Sequence, residues 1–414
     1  IIFIFHFMER KKWVVFTAAI LISLALGILY TWSILKSTIE ASLNQHTSGG
    51  FNWDISTLND PYSVAILVFA FVMIISGKVF DKVGPKITSL IGGALVTAGL
   101  LVSASSTGYG SWILGYGVLI GAGTGFGYAV ITPVTIKWFP PNKTGLITGL
   151  VVAGFGMSSV YMAPLFTFLI KDFGLSHALT VYSIAFAIVI GICSFLLLNP
   201  PKEEVGKAIV NPASAKDDIK VSEIFKKSEF YILWTLFFIG SGAGLMVIGF
   251  VSDMVKKGLG EQAFLGVAII AIGNSSGRVL AGYLSDKIGR FKTLLIMFSF
   301  QCTLMVTAAI VTDKGTSPVL LLIMATFIGL NYGSNLSLFP SIAKDLWGLK
   351  NFGTNYGVLF TAWGVGGFVL SRVSQMIKAT TGSLEYSFWL AGILLALGSI
   401  LLIFFERLMK QRTL

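Results

Sequence analysis

The chain is 414 residues long, 55% hydrophobic and 12% charged, with a mean hydropathy of +0.82 and a formal net charge of +11. Soluble domains carry about 25% charged residues, so this chain lacks the polar surface that a water-soluble body needs, and composition places it in a bilayer. The basic excess reads as membrane topology, not as nucleic-acid binding, and the expected fold class is an all-α polytopic membrane protein.

Seven residues, IIFIFHF, precede Met8, which reads as the natural start and leads into the basic stretch ERKK. The apolar run near 13–35 is too long for a signal peptide and has no small-residue cleavage site, so it reads as a span. Tyr30 and Trp32 close it, facing a central cavity or the outer interface, and Lys36 follows. A helical span takes about 20 apolar residues. Eleven further runs qualify, near 62–80, 87–106, 111–136, 146–170, 178–198, 229–252, 262–284, 292–312, 318–341, 355–378 and 386–405, making twelve.

After span 2 stands GKVFDKVGPK, Gly77 to Lys86. Span 4 is rich in glycine, which lets helices approach closely, and Tyr116 within it is either a cavity hydroxyl or an interfacial anchor. Between spans 6 and 7 the polar stretch 199–227 has the composition of a linker, separating a six-helix unit 1–198 from a second, 228–414. After span 8 stands GYLSDKIGRFK, Gly282 to Lys292, which shares G-x-x-x-D-K-x-G with the first motif at a shift of 205 residues from Asp81 to Asp286. Spans 4 and 5 match spans 10 and 11 at a shift of 208, close to half the chain, so a six-span unit is duplicated. In each motif the glycines (Gly77 and Gly84; Gly282 and Gly289) permit tight turns, and Asp81 and Asp286 can accept from a neighbouring helix N-terminus or pair with a base such as Arg290. These residues are expected to hold the two halves together in one state and release them in another.

Span 8 contains AIIAIGNSSGRVLAGYL, with Arg278 in an otherwise apolar, small-residue run. It lies two turns before Asp286, roughly 12 Å into the membrane. All 19 acids and all three histidines fall in loops, tails or span ends, so no protein anion is expected at that depth. A substrate carboxylate, matched by the forked guanidinium, is the simplest counter-ion; snorkelling or bonding to helix carbonyls is the alternative. Asn274, one turn earlier on the same face, can orient the arginine or donate to the substrate. The half-related position, 205 residues back, is Met73, so the charge is not duplicated. In span 11 Phe360 and Trp363 sit one turn apart and line the same cavity or simply pack.

With twelve spans the termini share a side. Taking that side as cytoplasmic puts 22 of the 30 basic residues in inner segments and six in outer ones, the remaining two being Arg278 and Arg372 within spans. This is the positive-inside bias.

Twelve spans in two repeats with this loop motif resemble the major facilitator superfamily over essentially the whole chain. Within it, GNSSGRVLAGYLSDKIGR of span 8 and NYGVLFTAWGVGG of span 11 are similar to the oxalate:formate antiporter family and its monocarboxylate-transporter relatives. The resemblance implies two pseudo-symmetric bundles with substrate near the midplane. It also implies small carboxylates as cargo, a carboxylate-binding role for Arg278 and a place in the site for Tyr332 of span 10. Oxalate-type members carry a lysine where Trp363 stands here, so a monoanion fits better than oxalate. Animal monocarboxylate transporters use a span 1 lysine in proton coupling, a role Lys36 matches poorly in spacing.

Cys193 and Cys302 each fall in an apolar run, and no metal spacing, phosphate loop or catalytic triad appears, so neither metal, cofactor nor enzyme activity is expected. The expected function is secondary transport of a small monoanion, lactate, acetate or formate in class, with a proton, in a prokaryotic inner membrane and with no obligate protein partner. An obligate anion exchanger and a non-transporting receptor are the alternatives.

Overall fold

The computed structural model describes residues 2–45, 50–201, 219–259, 263–311 and 317–411, which are helical with short connections and contain no strand among the described residues. Long apolar helices are the expected outcome in lipid, where every backbone N–H and C=O must be satisfied within the segment. Eleven of the helices are long and apolar enough to cross a membrane. Span 8, Ala263–Ile288, completes the twelve at 26 residues and is the one that carries Arg278.

Span 2 is Asp60–Val83, span 3 Pro85–Ser105, span 5 Thr144–Phe173 and span 6 Leu175–Leu196. Spans 7 and 9 to 12 are Ser228–Leu259, Arg290–Val311, Pro318–Trp347, Phe352–Thr381 and Glu385–Gln411. Spans 5, 10 and 11 each run 30 residues, longer than their apolar stretches, and each ends in a helical turn that carries a lysine: Lys171, Lys344 and Lys378. The two Asp motifs are likewise not loops: Asp81 and Asp286 lie in the last turns of spans 2 and 8, and only Gly84 (φ 83°) and Gly289 (φ 97°) break the chain, in a backbone region that favours glycine.

Spans 1 and 4 are irregular. Span 1 is helix Ile2–Ala25, a 3-10 segment Leu26–Thr31 and helix Trp32–Gln45. Its break leaves carbonyls that need donors, and side chains of the same half provide them. Tyr182 donates to Ala25 at 2.8 Å, Ser158 to Gly27 at 3.3 Å, and Tyr116 to Ile28 at 3.2 Å. Span 4, Tyr109–Ile136, widens into a π-helical stretch at Ile113–Ile120, the stretch that presents Tyr116.

Packing repeats the sequence duplication. Span 2 packs on 4 as 8 packs on 10, span 3 on 6 as 9 on 12, and span 1 on 5 as 7 on 11. The halves meet along two seams, span 5 with span 8 and span 2 with span 11. Most of the expected linker, 202–218, lies outside the described residues; its end, from Ile219, is described.

Candidate functional site

Arg278 lies on the 5–8 seam and is fully buried, at 0% exposure, so its guanidinium does not snorkel. Nε donates to Asn274 Oδ1 at 3.1 Å, one turn back on the same helix. Of the two terminal nitrogens, one donates to the Val152 carbonyl of span 5 and the other to the Tyr30 hydroxyl at 3.3 Å. Tyr30 belongs to the 3-10 segment of span 1, so the arginine reaches from the second half to two elements of the first. Its Cζ also lies 6.0 Å from the centre of the Phe155 ring. None of these partners is an acid, and the described ion pairs lie elsewhere, around Asp286, Arg290, Lys344 and Asp345.

An arginine at a helix centre costs about 2.5–3.5 kcal/mol on insertion scales, and more on others. Hydrogen bonds to a charged group return about 1.5–3 kcal/mol each. The three neutral acceptors therefore hold the cation without neutralising it. Asn274 fixes the orientation through Nε and leaves both terminal nitrogens for an end-on fork. An incoming carboxylate that displaces Val152 and Tyr30 as acceptors meets two parallel donors, and the freed Tyr30 hydroxyl can donate to it.

Around this cation the wall is aromatic and comes from both halves. Phe155 packs edge-on against Tyr30 (5.4 Å) and Tyr128 (5.5 Å). Phe69 of span 2 meets Phe360 at 5.2 Å and Trp363 at 5.3 Å. Phe360 and Trp363 stack at 5.0 Å, and Trp363 Nε1 donates to the Tyr332 hydroxyl at 2.9 Å. The Tyr128 and Tyr356 hydroxyls, one from each half, are buried with no hydrogen-bond partner among the described residues.

The structure thus brings Arg278 and Asn274 into direct contact, and Tyr332, Phe360 and Trp363 into one cluster that touches the Phe69–Phe155 wall. Tyr116 is not among them. Its hydroxyl is spent on Ile28, and its ring packs at 4.7 Å on Trp32 in a separate group with Trp112. Lys36 sits in the helix after the break, six residues beyond Tyr30, and no described hydrogen bond joins it to the Arg278 cluster. Sequence reasoning left Tyr30 undecided and did not single out Phe69, Phe155 or the Val152 carbonyl. Gly156, one turn beyond Val152, is the available signal: a Cβ there would lie 2.5 Å from Ser275 Oγ and 3.6 Å from Arg278 Cζ.

At the basic end each motif aspartate caps a helix of the opposite half. Asp286 accepts from the Gly145 and Leu146 amides of span 5 at 2.9 and 2.8 Å. Arg290 donates to it at 2.6 Å and to Asp345 at 3.0 Å. Asp81 accepts from the Thr354 amide of span 11 at 3.0 Å and from its hydroxyl at 2.7 Å. Neither receiving helix has a side-chain cap of its own, so its free N–H groups and dipole are available to the aspartate. The approach depends on paired glycines: a Cβ on Gly282 would lie 2.2 Å from the Gly145 carbonyl oxygen, and one on Gly77 2.2 Å from that of Gly353.

Comparison with known proteins agrees with this architecture. A family model described as Major Facilitator Superfamily matches residues 13–371. The Escherichia coli K12 protein named uncharacterized MFS-type transporter YhjX is 27% identical, covering 86% of each chain. The Oxalobacter formigenes oxalate:formate antiporter is 27% identical, covering 83% of this chain and 79% of its own. Rat monocarboxylate transporter 13 is 26% identical, covering 82% and 78%. Among solved structures, the proton:xylose symporter XylE superposes with a TM-score of 0.73 at 14% identity, covering 95% of both chains. The E. coli fucose:proton symporter FucP does so with 0.69 at 12%, covering 96% and 98%; these two speak to the fold alone. With the duplicated bundles, the two seams and this match in hand, the chain is a transporter fold and not an enzyme, and it belongs to the major facilitator superfamily.

Proposed function

We propose that this chain is a secondary transporter of small monocarboxylates of the lactate, acetate and formate class, working by alternating access in a prokaryotic inner membrane. Both termini lie in the cytoplasm on this reading, and the halves 1–198 and 228–414, joined by 199–227, rock about the two seams. The observation that carries it is Arg278: a fully buried cation on the seam, bonded only to neutral groups. Its relatives' names, oxalate:formate antiporter and monocarboxylate transporter, point to the same chemistry. Arg278 receives the carboxylate, Asn274 and Tyr30 orient it, and Tyr332, Phe360 and Trp363 line the apolar side. One fixed charge suits a monoanion; Trp363 stands where the resemblance expects the second cation for oxalate. Asp81 and Asp286, with Gly77, Gly84, Gly282, Gly289 and Arg290, close the cytoplasmic end.

Proton-coupled symport is the favoured energetics, the proton travelling on the substrate carboxylate near Arg278. Exchange is the second reading, favoured by the Oxalobacter relative. The test is uptake of labelled lactate or acetate into empty proteoliposomes under an inward-acid gradient, with protein-free vesicles subtracted. Stimulation that a protonophore abolishes supports symport. Uptake that needs internal carboxylate and ignores the gradient replaces it with exchange, and no uptake of any short carboxylate refutes the substrate class.

A further inference from the structure

One residue of the linker is tied to the receiving side of the 2–11 seam. Ile219 is buried at 6% exposure and its amide donates to the carbonyl of Trp347, the last residue of span 10, at 3.3 Å. The Ile219 carbonyl accepts from Asn355 Nδ2 at 2.9 Å and from Asn351 Nδ2 at 3.3 Å. Asn351 occupies the N-cap position of span 11, where an asparagine side chain ordinarily accepts from the first-turn amides; here it makes no such bond and turns to the linker. The amide it would cap, Thr354 N–H, is left for Asp81 of the other half. Asn355 is wholly buried and its Oδ1 has no partner among the described residues, so donation to Ile219 is the one side-chain bond it makes. Five residues on, Ile224 is buried at 0% exposure.

The half-related positions lack this device. At the shift of 208, Asn351 and Asn355 correspond to Lys143 and Ile147. At the shift of 205, Arg290 corresponds to Pro85, so Asp81 in turn lacks the arginine that braces Asp286.

We propose that the end of the linker, anchored at Ile219, is a strap that positions the first turn of span 11 to receive Asp81, with Asn355 as its chief positioning residue. The inference rests on the reading of Asp81 as a gate. By fastening span 11 to the end of span 10, the strap presents Thr354 as a preorganised donor pair, and a loosened strap weakens closure at the basic end without touching the Arg278 site.

The experiment uses the full chain with Cys193→Ser, Cys302→Ser and Met73→Cys, Met73 being buried on span 2 against Gly357, two turns deeper than Asp81. Alkylation by a membrane-impermeant maleimide applied at the basic face reports opening. Asn355→Leu is expected to speed labelling about fivefold and Asn351→Ala about twofold, with the affinity for carboxylate unchanged. In an Asp81→Asn background both are expected to add less than twofold, because the strap acts through the contact already lost. Unchanged labelling in both variants, or a full additional effect without Asp81, overturns the strap. If Asp81→Asn alone leaves labelling unchanged, the gating role of Asp81 fails instead, and that result is visible without reference to either asparagine.

Discussion

Where span 8 meets span 5, Asp286 takes two amide protons of span 5 and is braced by Arg290, and two turns deeper Arg278 crosses to the Val152 carbonyl. Where span 2 meets span 11, Asp81 takes one amide and one hydroxyl of Thr354, Pro85 replaces the bracing arginine, and the deeper positions are Met73, Phe360 and Trp363. The same frame is used twice: a glycine pair that lets the helices touch, and an aspartate that caps the opposite helix. The chemistry laid over it is not shared. One seam carries the buried charge, with Phe155 beside it, and the other carries Phe69, Phe360 and Trp363, so the proposed anion would contact two unlike surfaces. Duplication accounts for the two capped seams, and the proposed cargo site lies where duplication stops.

The largest effect expected is at the unduplicated charge. Arg278→Ala is predicted to abolish uptake while leaving folded protein in the membrane. A forked, charge-assisted contact worth about 3 kcal/mol corresponds to roughly a hundredfold in affinity. Arg278→Lys keeps the charge and loses the fork, so it is expected to recover only a small part. Normal uptake by the alanine variant would show that the cation is structural and that the two seams differ for reasons of packing alone.

Next come the two caps. Asp286→Asn is expected to slow uptake about tenfold and Asp81→Asn less, since the first loses two charge-assisted amide bonds and leaves Arg290 with Asp345 as its only carboxylate. Both are expected to leave carboxylate affinity in detergent within about twofold, because neither contacts the Arg278 cluster. Equal loss from the two substitutions would mean that the arginine brace contributes nothing; a loss of affinity as deep as that of Arg278→Ala would move the aspartates from gate to site.

Trp363→Lys gives a smaller change but a directional one. It places a second cation on the aromatic seam and removes the bond to Tyr332. Competition by oxalate against labelled monocarboxylate is expected to rise several-fold. An unmodified protein that already prefers oxalate would break the one-charge argument at its root.

Much of this frame was legible in the sequence because it depends on residue types with few alternatives. Twelve apolar runs, two copies of G-x-x-x-D-K-x-G and a lone arginine at depth each admit few physical readings, and the transporter fold follows from them. The site's first-half wall was not legible. Phe69 and Phe155 look like any other apolar residue of a span, and a backbone carbonyl such as that of Val152 has no sequence signal of its own. The break in span 1 was hidden for a related reason: LGILYT has no proline and reads as a continuation of the span, and its 3-10 geometry depends on donors supplied by Tyr116, Ser158 and Tyr182 from elsewhere in the fold. The strap at Ile219 was invisible because a linker's composition says nothing about which carbonyl an asparagine will find.

The smallest expected effects separate two tyrosines attached to that break. Tyr30 and Tyr116 both engage the 3-10 segment, and sequence alone offers either as a site hydroxyl. In the structure the Tyr30 hydroxyl accepts from Arg278, whereas Tyr116 donates to the Ile28 carbonyl within the Trp32–Trp112 cluster. Tyr30→Phe removes the hydroxyl that, once displaced from Arg278, donates to the bound carboxylate, and is expected to raise KM for the monocarboxylate a few-fold with stability little changed. Tyr116→Phe keeps the ring and leaves one carbonyl of the break without that donor, though Thr31 Oγ1 still bonds it at 2.7 Å. A side-chain hydrogen bond inside a membrane protein is worth about 0.6 kcal/mol on average, so a fall of a degree or two in Tm with KM unchanged is expected. Transport kinetics and thermal unfolding of the two variants, measured side by side, decide the matter: a raised KM in Tyr116→Phe and none in Tyr30→Phe would reverse the assignment and move the anion from Arg278 toward the Trp32–Trp112 cluster.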